Sequence, residues 1–216
     1  MFYKRIIIFA NGELPNQEKA RALLHDDDFI IAADGGTRHI FALGRMPNVV
    51  IGDLDSVTKE EIAKIKQNNV DIILFPRDKN ETDLELAIQH ALTLSLEQII
   101  IVGALGARLD QTLGNISLLN STQSSTADLR LDDGVEEVFF CHSKSNIQGR
   151  SGDIISLIPW QDEVTGVLTT GLKWPLQSET LYPQKTRGIS NEMLSDTAII
   201  QIKSGLLLII HRRVDK

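Results

Sequence analysis

The first half of this chain alternates short apolar runs with segments of helical periodicity, and this alternation constrains the fold more than any other feature. The apolar runs are rich in Ile and Val at nearly every position, as expected of strands covered on both faces. They lie at residues 5–10, 29–33, 48–51, 70–75 and 98–102. Segments with helical spacing lie at 17–25, 37–43, 58–67, 82–94 and from about 110 to 119. Alternating βα units predict an α/β fold, with a doubly wound, mostly parallel sheet and helices on both faces.

The second half has a different pattern. Six consecutive polar residues at 121–126 form a candidate linker, and beyond them short apolar segments alternate with turn residues. Strands are predicted at 129–131, 137–141, 153–158, 164–169, 198–202 and 206–211. We therefore predict two domains, an α/β domain over residues 1–122 and a small antiparallel β-sandwich or barrel over residues 127–216.

The composition excludes several classes of protein. A net charge of −7 over 216 residues argues against a non-specific nucleic-acid binder, which needs a basic face. The single cysteine, Cys141, excludes an internal disulfide and predicts a reducing, cytoplasmic location. The apolar runs at 6–10 and 206–210 are too short for a signal-peptide core or a bilayer span, so we expect no membrane partner.

Each predicted strand of the first half ends in polar or glycine residues. In an open parallel sheet, ligands bind outside the carboxyl ends of the strands, so these five exits define a candidate site. The exits are Asn11-Gly12, Asp34-Gly35-Gly36, Gly52-Asp53-Leu54-Asp55-Ser56, Pro76-Arg77-Asp78-Lys79, and Gly103 with the following Gly106-Ala107-Arg108-Leu109-Asp110. Packing alone does not account for five polar exits at one edge of a sheet.

Asp53 and Asp55 are separated by one residue, so in extended backbone their carboxylates point to the same side. Two such carboxylates repel each other unless a cation lies between them, which makes the pair a candidate metal site. The alternative is a loop in which one of them caps the helix predicted to begin near Thr58.

The segment after the fourth predicted strand adds Asp78, Lys79 and Asp83 at a helix start. Thr82 and Glu85 fit a capping box, which explains those two residues without a ligand. A capping box does not explain Asp78 and Lys79 at the strand exit, and a helix N-terminus also favours phosphate.

Arg108 and Asp110 follow two glycines whose backbone can approach a phosphate closely. Arg108 presents a fork of donors suited to phosphate oxygens, and Asp110 is open to three roles: metal ligand, proton acceptor or helix cap. Carboxylates, a lysine and an arginine on one rim together predict Mg²⁺-dependent transfer of a phosphoryl or pyrophosphoryl group. The sequence contains no Walker A motif and no Gly-x-Gly-x-x-Gly after its first strand. These absences argue against a P-loop NTPase and against a dinucleotide-binding protein.

The same residues resemble a known family, the thiamine pyrophosphokinases. The resemblance runs in family order over nearly the whole chain, and the ordered set is specific although each motif alone is weak. The matching segments are Asp34-Gly35-Gly36; Pro47 with Gly52-Asp53-Leu54-Asp55-Ser56; Asp78-Lys79 with Thr82-Asp83; Gly103, Gly106, Arg108 and Asp110 with Asn115; Thr169-Thr170-Gly171-Leu172-Lys173-Trp174-Pro175-Leu176; and Gly188-Ile189-Ser190-Asn191-Glu192.

The resemblance implies a pyrophosphokinase that uses ATP and Mg²⁺, with a nucleotide-binding catalytic α/β domain and a thiamine-binding β domain. It also implies a homodimer in which thiamine lies between the α/β domain of one subunit and the β domain of the other. The expected reaction is attack of the thiamine hydroxyl on the β-phosphorus of ATP, with AMP leaving. Asp110 is the candidate for orienting or deprotonating that hydroxyl.

Residue roles follow from the same match. The catalytic carboxylates are Asp53, Asp55, Asp78, Asp83 and Asp110, of which the first four are the expected Mg²⁺ ligands. The ATP-binding residues are Asn11, Asp34, Gly35, Gly36, Lys79, Thr82, Arg108 and Asn115. The thiamine-binding residues are Thr170, Trp174, Ser190, Asn191 and Gln111.

Trp174 lies between Lys173 and Pro175 in a turn-like segment, a poor place for a buried ring, although a core position is the alternative. An indole face suits both the aromatic pyrimidine and the cationic thiazolium of thiamine. Two positions depart from the family pattern, because many relatives have glycine in place of Ala107 and histidine in place of Gln111. Gln111 cannot act as an acid or a base, but it can still donate a hydrogen bond.

Two alternatives to thiamine pyrophosphokinase stay open at this stage. A pyrophosphokinase acting on another alcohol, such as a hydroxymethylpterin, would use the same acidic rim and stacking ring. A non-catalytic thiamine or nucleotide sensor would keep the pocket without turnover.

Overall fold

The computed structural model describes residues 2–106, 108–120 and 127–215. Contacts within the chain cluster into two compact units, Met1–Gly134 (unit one) and Val135–Lys216 (unit two). The predicted linker at 121–126 lies outside the described residues. Within the described ranges, no helix combines the length and apolar character that crossing a membrane requires.

Unit one is a parallel sheet with helices between its strands. The strands are β1 (Phe2–Phe9), β2 (Phe29–Ala33), β3 (Val49–Gly52), β4 (Asp71–Leu74), β5 (Ser95–Val102) and β6 (Asp128–Asp132). The helices are α1 (Gln17–Ala22), α2 (Thr37–Ala42), α3 (Lys59–Gln67), α4 (Asp83–Thr93) and α5 (Leu109–Leu118), with a short 3₁₀ helix at Asp34–Gly36. The strand order is β6-β5-β1-β2-β3-β4, and every pair is parallel. The winding therefore reverses at β1, which has β2 on one side and β5 on the other.

One face of this sheet packs against the first three helices. Successive strand side chains point to opposite faces, so Ile7 and Phe9 share a face. They lie in one apolar cluster with Ala20 of α1, Ile40 of α2 and Ile65 of α3. Burial of this cluster positions the chain segments that leave β1 and β2.

The opposite face is covered by α4, which contacts β1, β2, β3 and β5. Ile8 of that face and Ala87 and Ala91 of α4 are fully buried. The helix begins where Oγ1 of Thr82 accepts the backbone N–H of Glu85 at 3.2 Å, so the predicted Thr82 cap is confirmed. This packing brings the N-terminus of α4 to the carboxyl edge of the sheet, next to the end of β3.

Unit two contains only strands as regular elements among its described residues. They are β7 (Glu136–Cys141), β8 (Lys144–Gln148), β9 (Ile154–Pro159), β10 (Val164–Thr170), β11 (Gln177–Leu181), β12 (Asn191–Glu192), β13 (Thr197–Gln201) and β14 (Leu207–Arg212). They form two antiparallel sheets, β12-β9-β14-β7 and β11-β10-β13-β8. Phe139, Leu157 and Leu207 of the first sheet share one core with Val167 and Ile200 of the second. The unit is therefore a sandwich, and the predicted fold class is confirmed.

The division between the units falls at Gly134 and Val135, later in the chain than the predicted boundary at residues 122–127. The reason is β6, which pairs in parallel with β5 and so extends the α/β sheet. Three strands, β8, β11 and β12, were not predicted, and all three are edges of their sheets. Edge strands bury fewer side chains, and β8 buries only Ile147, so none of them shows an apolar run.

Candidate active site

A cavity of about 570 Å³ opens at the carboxyl edge of the unit-one sheet. Residues that follow β1, β2, β3 and β5 form its wall, together with the first turns of α4 and α5. This is the edge at which the sequence predicts a ligand site. The lining includes the predicted residues Asn11, Asp34, Asp55, Thr82, Asp83, Arg108, Asp110, Gln111 and Asn115.

Three carboxylates from different segments, Asp34, Asp53 and Asp83, form an acidic cluster. Oxygen atoms of the three lie within 4.8 Å of one another. Asp34 is only 5% exposed, and within the described part of the chain its Oδ1 has no hydrogen-bond partner. Burial raises the pKa of Asp34, and the charges of Asp83 and Asp53 raise it further, although a hydrogen bond from Ser56 opposes the shift. The cluster therefore concentrates negative charge at a poorly solvated point.

Two backbone conformations bring these carboxylates together. Asp34 begins the 3₁₀ helix at a φ of 44°, a left-handed conformation that Asp tolerates better than most residues. Gly52 ends β3 at a φ of 147°, and a Cβ there would lie 3.0 Å from Cβ of Asp34 and 3.1 Å from Oδ1 of Asp83. Glycine at position 52 is therefore required for the close approach of these two side chains.

The acidic cluster fits a divalent cation such as Mg²⁺, because carboxylate oxygens are its preferred protein ligands and one of them is buried without a donor. Lys79 supplies part of the opposing charge, with its Nζ 3.0 Å from Oδ1 of Asp83. Burial disfavours this ammonium, but the contact with Asp83 and the charges of Asp53 and Asp34 outweigh burial and raise the pKa of Lys79. One ammonium does not balance three carboxylates, so the cluster retains negative charge for a cation.

The other predicted metal ligands lie elsewhere. Asp55 lines the cavity, but its Oδ2 lies 3.4 Å from a guanidinium nitrogen of Arg77. Asp78 is exposed and belongs neither to the acidic cluster nor to the described cavity wall. The structure thus joins two of the four predicted ligands, Asp53 and Asp83, and the third member of the cluster, Asp34, is a residue expected to bind the nucleotide.

Arg108 and Asp110 form a two-point ion pair at the start of α5. Nε of Arg108 lies 3.1 Å from Oδ1 of Asp110, and Nη2 lies 2.5 Å from Oδ2. These hydrogen bonds hold the pKa of Asp110 below its usual range, so its carboxylate is ionised at neutral pH. A carboxylate with a lowered pKa is a weak proton acceptor, which favours orienting a hydroxyl over deprotonating it.

Two side chains that are not among the predicted site residues, Arg38 and His39, hold the loop after β1. Nη2 of Arg38 donates to the carbonyl oxygens of Asn11 at 2.8 Å and Gly12 at 3.2 Å. Nε2 of His39 lies 2.8 Å from the Gly12 oxygen, and burial lowers the pKa of His39, so the neutral ring donates there. Both residues lie in α2 directly after Asp-Gly-Gly, but no motif spacing marks them.

Two other predicted residues, Asn115 and Gly36, hold neighbouring segments of the site together. Nδ2 of Asn115 donates to the Ala104 carbonyl oxygen at 2.9 Å and so ties α5 to the loop after β5. A Cβ at Gly36 would lie 1.9 Å from the Phe9 oxygen, so only glycine permits this approach of the 3₁₀ helix to β1. The departure predicted at residue 107 lies outside the described residues.

Unit two carries four of the predicted thiamine-binding residues. Trp174 is 48% exposed, so the core alternative for this ring is excluded. Its backbone N–H donates to Oδ1 of Asn191 at 3.0 Å, and its carbonyl oxygen accepts from Nδ2 of Asn191 at 2.6 Å. Thr170 ends β10 and is exposed, and Ser190 is exposed at a φ of 60°. The structure therefore brings Trp174 and Asn191 into direct contact.

Both halves of the chain match the profiles of known protein families. The profile of the thiamin pyrophosphokinase catalytic domain matches residues 20–131. The profile of the thiamin pyrophosphokinase vitamin B1 binding domain matches residues 143–207. The two matches cover most of unit one and most of unit two, in that order.

Individual relatives give the same result. The chain is 30% identical to thiamine pyrophosphokinase of Bacillus subtilis over 182 residues, which is 83% of this chain and 85% of the relative. It is 26% identical to thiamin pyrophosphokinase 1 of Caenorhabditis elegans over 219 residues, which is 95% of this chain and 88% of the relative.

Solved structures extend the similarity to the fold. The crystal structure of the Bacillus subtilis thiamine pyrophosphokinase superimposes with a TM-score of 0.88 at 28% identity, covering 97% of this chain and 99% of that one. Thiamin pyrophosphokinase from Candida albicans superimposes with a TM-score of 0.81 over 98% of this chain and 90% of that one, but at 14% identity it supports the fold alone.

Proposed function

Because the chain belongs to the thiamin pyrophosphokinase family, we propose that the unit-one cavity binds ATP with its phosphates toward the acidic cluster. The enzyme is a thiamine diphosphokinase, which transfers the pyrophosphoryl group of ATP to the hydroxyl of thiamine and releases AMP. One observation carries the proposal: the acidic cluster, Lys79 and Arg108 meet at the carboxyl edge of a parallel sheet. Open parallel sheets bind their ligands at that edge.

Asp34, Asp53 and Asp83 are the residues that would hold Mg²⁺. When bound, the cation neutralises charge on the phosphate oxygens and so favours attack at phosphorus. The orphaned Oδ1 of Asp34 and the mutual approach of the three carboxylates support this assignment. Asp83 is the first residue of α4, so the N–H groups of this helix N-terminus lie close by and favour phosphate as well.

Arg108 and Asp110 are proposed to serve the reacting groups. The thiamine hydroxyl oxygen forms a bond to the β-phosphorus, the bond between that phosphorus and the oxygen shared with the α-phosphate breaks, and AMP departs with that oxygen. Asp110 accepts the hydroxyl hydrogen bond and orients the oxygen, and the proton is released to solvent. The guanidinium of Arg108 still has N–H groups that do not face Asp110, and these suit a phosphate oxygen.

Thiamine is proposed to stack on Trp174, whose exposed indole suits an aromatic pyrimidine and a cationic thiazolium. Nζ of Lys173 lies 4.8 Å from the ring centroid and would compete with a ligand cation. Glu192 lies 2.8 Å from the same Nζ and neutralises its charge. Thr170, Ser190 and Gln111 stay predicted polar contacts of thiamine.

We further propose a homodimer with shared active sites and a cytoplasmic location. The exposed ring of Trp174 supports the first proposal, because it needs a second surface to enclose a ligand. Mixing Asp83→Ala subunits with Trp174→Ala subunits, assayed at a thiamine concentration at which neither variant alone is active, is expected to restore activity, since each mixed pair keeps one intact site. No recovery despite demonstrated subunit exchange would contradict the shared site. The location rests on one free, buried Cys141 and is checked by cell fractionation.

The direct test of the activity is incubation of the purified chain with ATP, Mg²⁺ and thiamine. We expect AMP and thiamine diphosphate in equal amounts, both dependent on thiamine, and neither product with a hydroxymethylpterin as the acceptor. A folded protein that binds thiamine without releasing AMP would instead support a sensor. In that case Gln111→His is the first variant to assay, since it restores the side chain that many relatives carry.

A further inference from the structure

Both acceptor sites and one of the two N–H donors of the Asn191 side chain are occupied within unit two. Its Oδ1 accepts from the backbone N–H groups of Trp174 and Glu192, each at 3.0 Å. Its Nδ2 donates to the carbonyl oxygen of Trp174 at 2.6 Å. Oδ1 has two acceptor sites and both are used, so the side chain has no acceptor left for a ligand and only the second Nδ2 hydrogen as a donor. Asn191 is also only 9% exposed, in contrast to the half-exposed indole of Trp174.

The segments 171–174 and 191–194 are joined by a short antiparallel ladder of backbone hydrogen bonds. Leu172 and Met193 form an isolated antiparallel bridge. The backbone N–H of Lys173 donates to the carbonyl oxygen of Glu192 at 2.9 Å, and that of Leu194 donates to Gly171 at 2.9 Å. The ladder reaches its end at Trp174, where the Asn191 amide replaces the backbone partner that the next rung would provide.

Asn191 is itself held in place by pairing with the neighbouring strand β9. It begins β12, which pairs with β9 through Asn191 opposite Ile155 and Glu192 opposite Ile154. Ile155 is fully buried, and the N–H of Met193 donates to the Asp153 carbonyl oxygen at 2.8 Å. The amide that holds Trp174 is therefore anchored to a strand of the sandwich core.

We propose that Asn191 is a positioning residue for thiamine: it holds the backbone of Trp174 so that the exposed indole is presented in a fixed orientation, and this contact, rather than a hydrogen bond from Asn191 to the ligand, is its main role. The proposal rests on the assignment of Trp174 to thiamine under the proposed function. It differs from the expectation that Asn191 binds the aminopyrimidine edge, because its carbonyl oxygen and one of its two Nδ2 hydrogens are already bonded to the backbone of Trp174 and Glu192.

The orientation of the indole can be measured without any ligand. The chain has two tryptophans, and Trp160 contacts Phe140 edge-to-face with ring centroids 5.5 Å apart. Replacing it by Trp160→Phe leaves Trp174 as the only tryptophan, so its emission can be excited selectively over that of the two tyrosines. Anisotropy and acrylamide quenching of that emission then report the mobility and exposure of the Trp174 ring in the free protein.

Two variants of Asn191, each combined with Trp160→Phe, test the contact between Asn191 and Trp174. Asn191→Asp keeps an acceptor for the two N–H groups but loses the donor to the Trp174 carbonyl, whereas Asn191→Ala loses all three bonds. We expect lower anisotropy, stronger quenching and a KM for thiamine raised roughly 10- to 100-fold, with kcat changed less than KM. The effect is expected to be larger for Asn191→Ala. The KM for ATP is expected to stay at the parental value.

Asn146→Ala is the matched control, since Asn146 is an exposed strand residue of the same unit. It is expected to leave anisotropy, quenching and KM unchanged. Unchanged Trp174 emission in both Asn191 variants, in the absence of thiamine, would overturn the proposal. So would altered emission combined with an unchanged KM for thiamine.

The KM of a Trp174 variant separately tests whether Trp174 binds thiamine at all. Trp174→Ala is expected to raise the KM for thiamine at least as much as Asn191→Ala does. If Trp174→Ala leaves that KM at the parental value, the assignment of Trp174 to thiamine is wrong and the positioning role falls with it. If Trp174→Ala raises the KM but the Asn191 variants do not, only the positioning role is wrong.

Discussion

Nε2 of His211 lies 3.0 Å from Oδ2 of Asp153, and both side chains are buried in unit two. Nδ1 of the same ring lies 3.4 Å from Oε2 of Glu137. Asp153 also accepts the backbone N–H of Arg150 at 2.9 Å and that of Val214 at 3.0 Å. These contacts join β14 and β7 to the turn before β9, so the charges involved are coupled to the stability of the sandwich.

The stability of unit two is therefore expected to depend on pH. Burial opposes a charged imidazole, but the contacts with Glu137 and Asp153 outweigh it and raise the pKa of His211. Its stabilisation is complete below the ordinary pKa of about 6.5 and is lost as the pH rises through the raised folded-state value. For Asp153 burial is outweighed by hydrogen bonds, and its pKa is lowered. That contribution is present above about pH 4 and is lost as the pH falls through the lowered value.

Urea unfolding of the parent and of His211→Gln between pH 5 and 9 measures the histidine contribution. We expect the stability advantage of the parent to be largest near pH 5 to 6 and to shrink as the pH rises above about 6.5. His142→Gln, which changes an exposed histidine of the same unit, is the control and is expected to show no such trend. An advantage that grows with pH would contradict the assigned direction.

One pair of variants tests whether Mg²⁺ is held by the acidic cluster or by the ligands predicted from the sequence. Asp34→Asn removes a charge from the cluster while keeping a residue that tolerates a φ of 44°. We expect kcat/KM to fall about 100-fold or more and the Mg²⁺ concentration for half-maximal activity to rise. Asp78→Asn, at an exposed position outside the cluster, is expected to stay within a few-fold of the parent. The reverse ranking would restore Asp78 as a ligand in place of Asp34.

Gly52 is predicted to be needed for geometry at the cluster. Gly52→Ala combines a disfavoured φ of 147° with contacts of 3.0 Å to Asp34 and 3.1 Å to Asp83, so we expect loss of both stability and activity. The stability loss is expected to be about 1 to 3 kcal/mol in chemical denaturation. Gly152→Ala is the control, because it has a φ of 97° but no atom within 4 Å of the added Cβ. It is expected to lose stability alone, and full activity in Gly52→Ala would contradict the steric argument.

Asp110 is predicted to orient the acceptor hydroxyl. Because Arg108 holds the pKa of Asp110 below its usual range, the carboxylate is ionised throughout the neutral range and its basicity is low. We expect Asp110→Asn to lower kcat by about 10-fold, less than the roughly 100- to 10,000-fold typical of a lost general base. The pH dependence of kcat near neutrality should be unchanged. Loss of a titration in that profile would assign the proton transfer to Asp110.

Many residues of the site can be predicted from the sequence because the patterns that mark them extend over only a few residues. The cap at Thr82 and the glycines at strand exits follow from rules that act over a few residues. The spacing of Asp53 and Asp55 predicts a metal site, and the family resemblance adds Asp83 to the expected ligands. The resemblance places Asp34 at the nucleotide, and nothing in Asp-Gly-Gly reveals that its carboxylate lies beside the other two. Asn191 was assigned to the ligand for a similar reason, because its hydrogen bonds to Trp174 cross 17 residues of chain.

By itself the sequence determined the division into an α/β unit and a β unit, the helix starts and the family, because apolar periodicity and ordered motifs are properties of the linear chain. Only the tertiary structure decided which polar side chains meet. Parallel pairing of β2 with β3, and packing of α4 across both, brings Asp34 and Asp53 to Asp83, while Asp78 stays exposed five residues earlier. Parallel pairing of β6 with β5 likewise moved the unit boundary to Gly134. The physical reason is that strand order sets these distances, and strand order is a global result of packing that local periodicity does not encode.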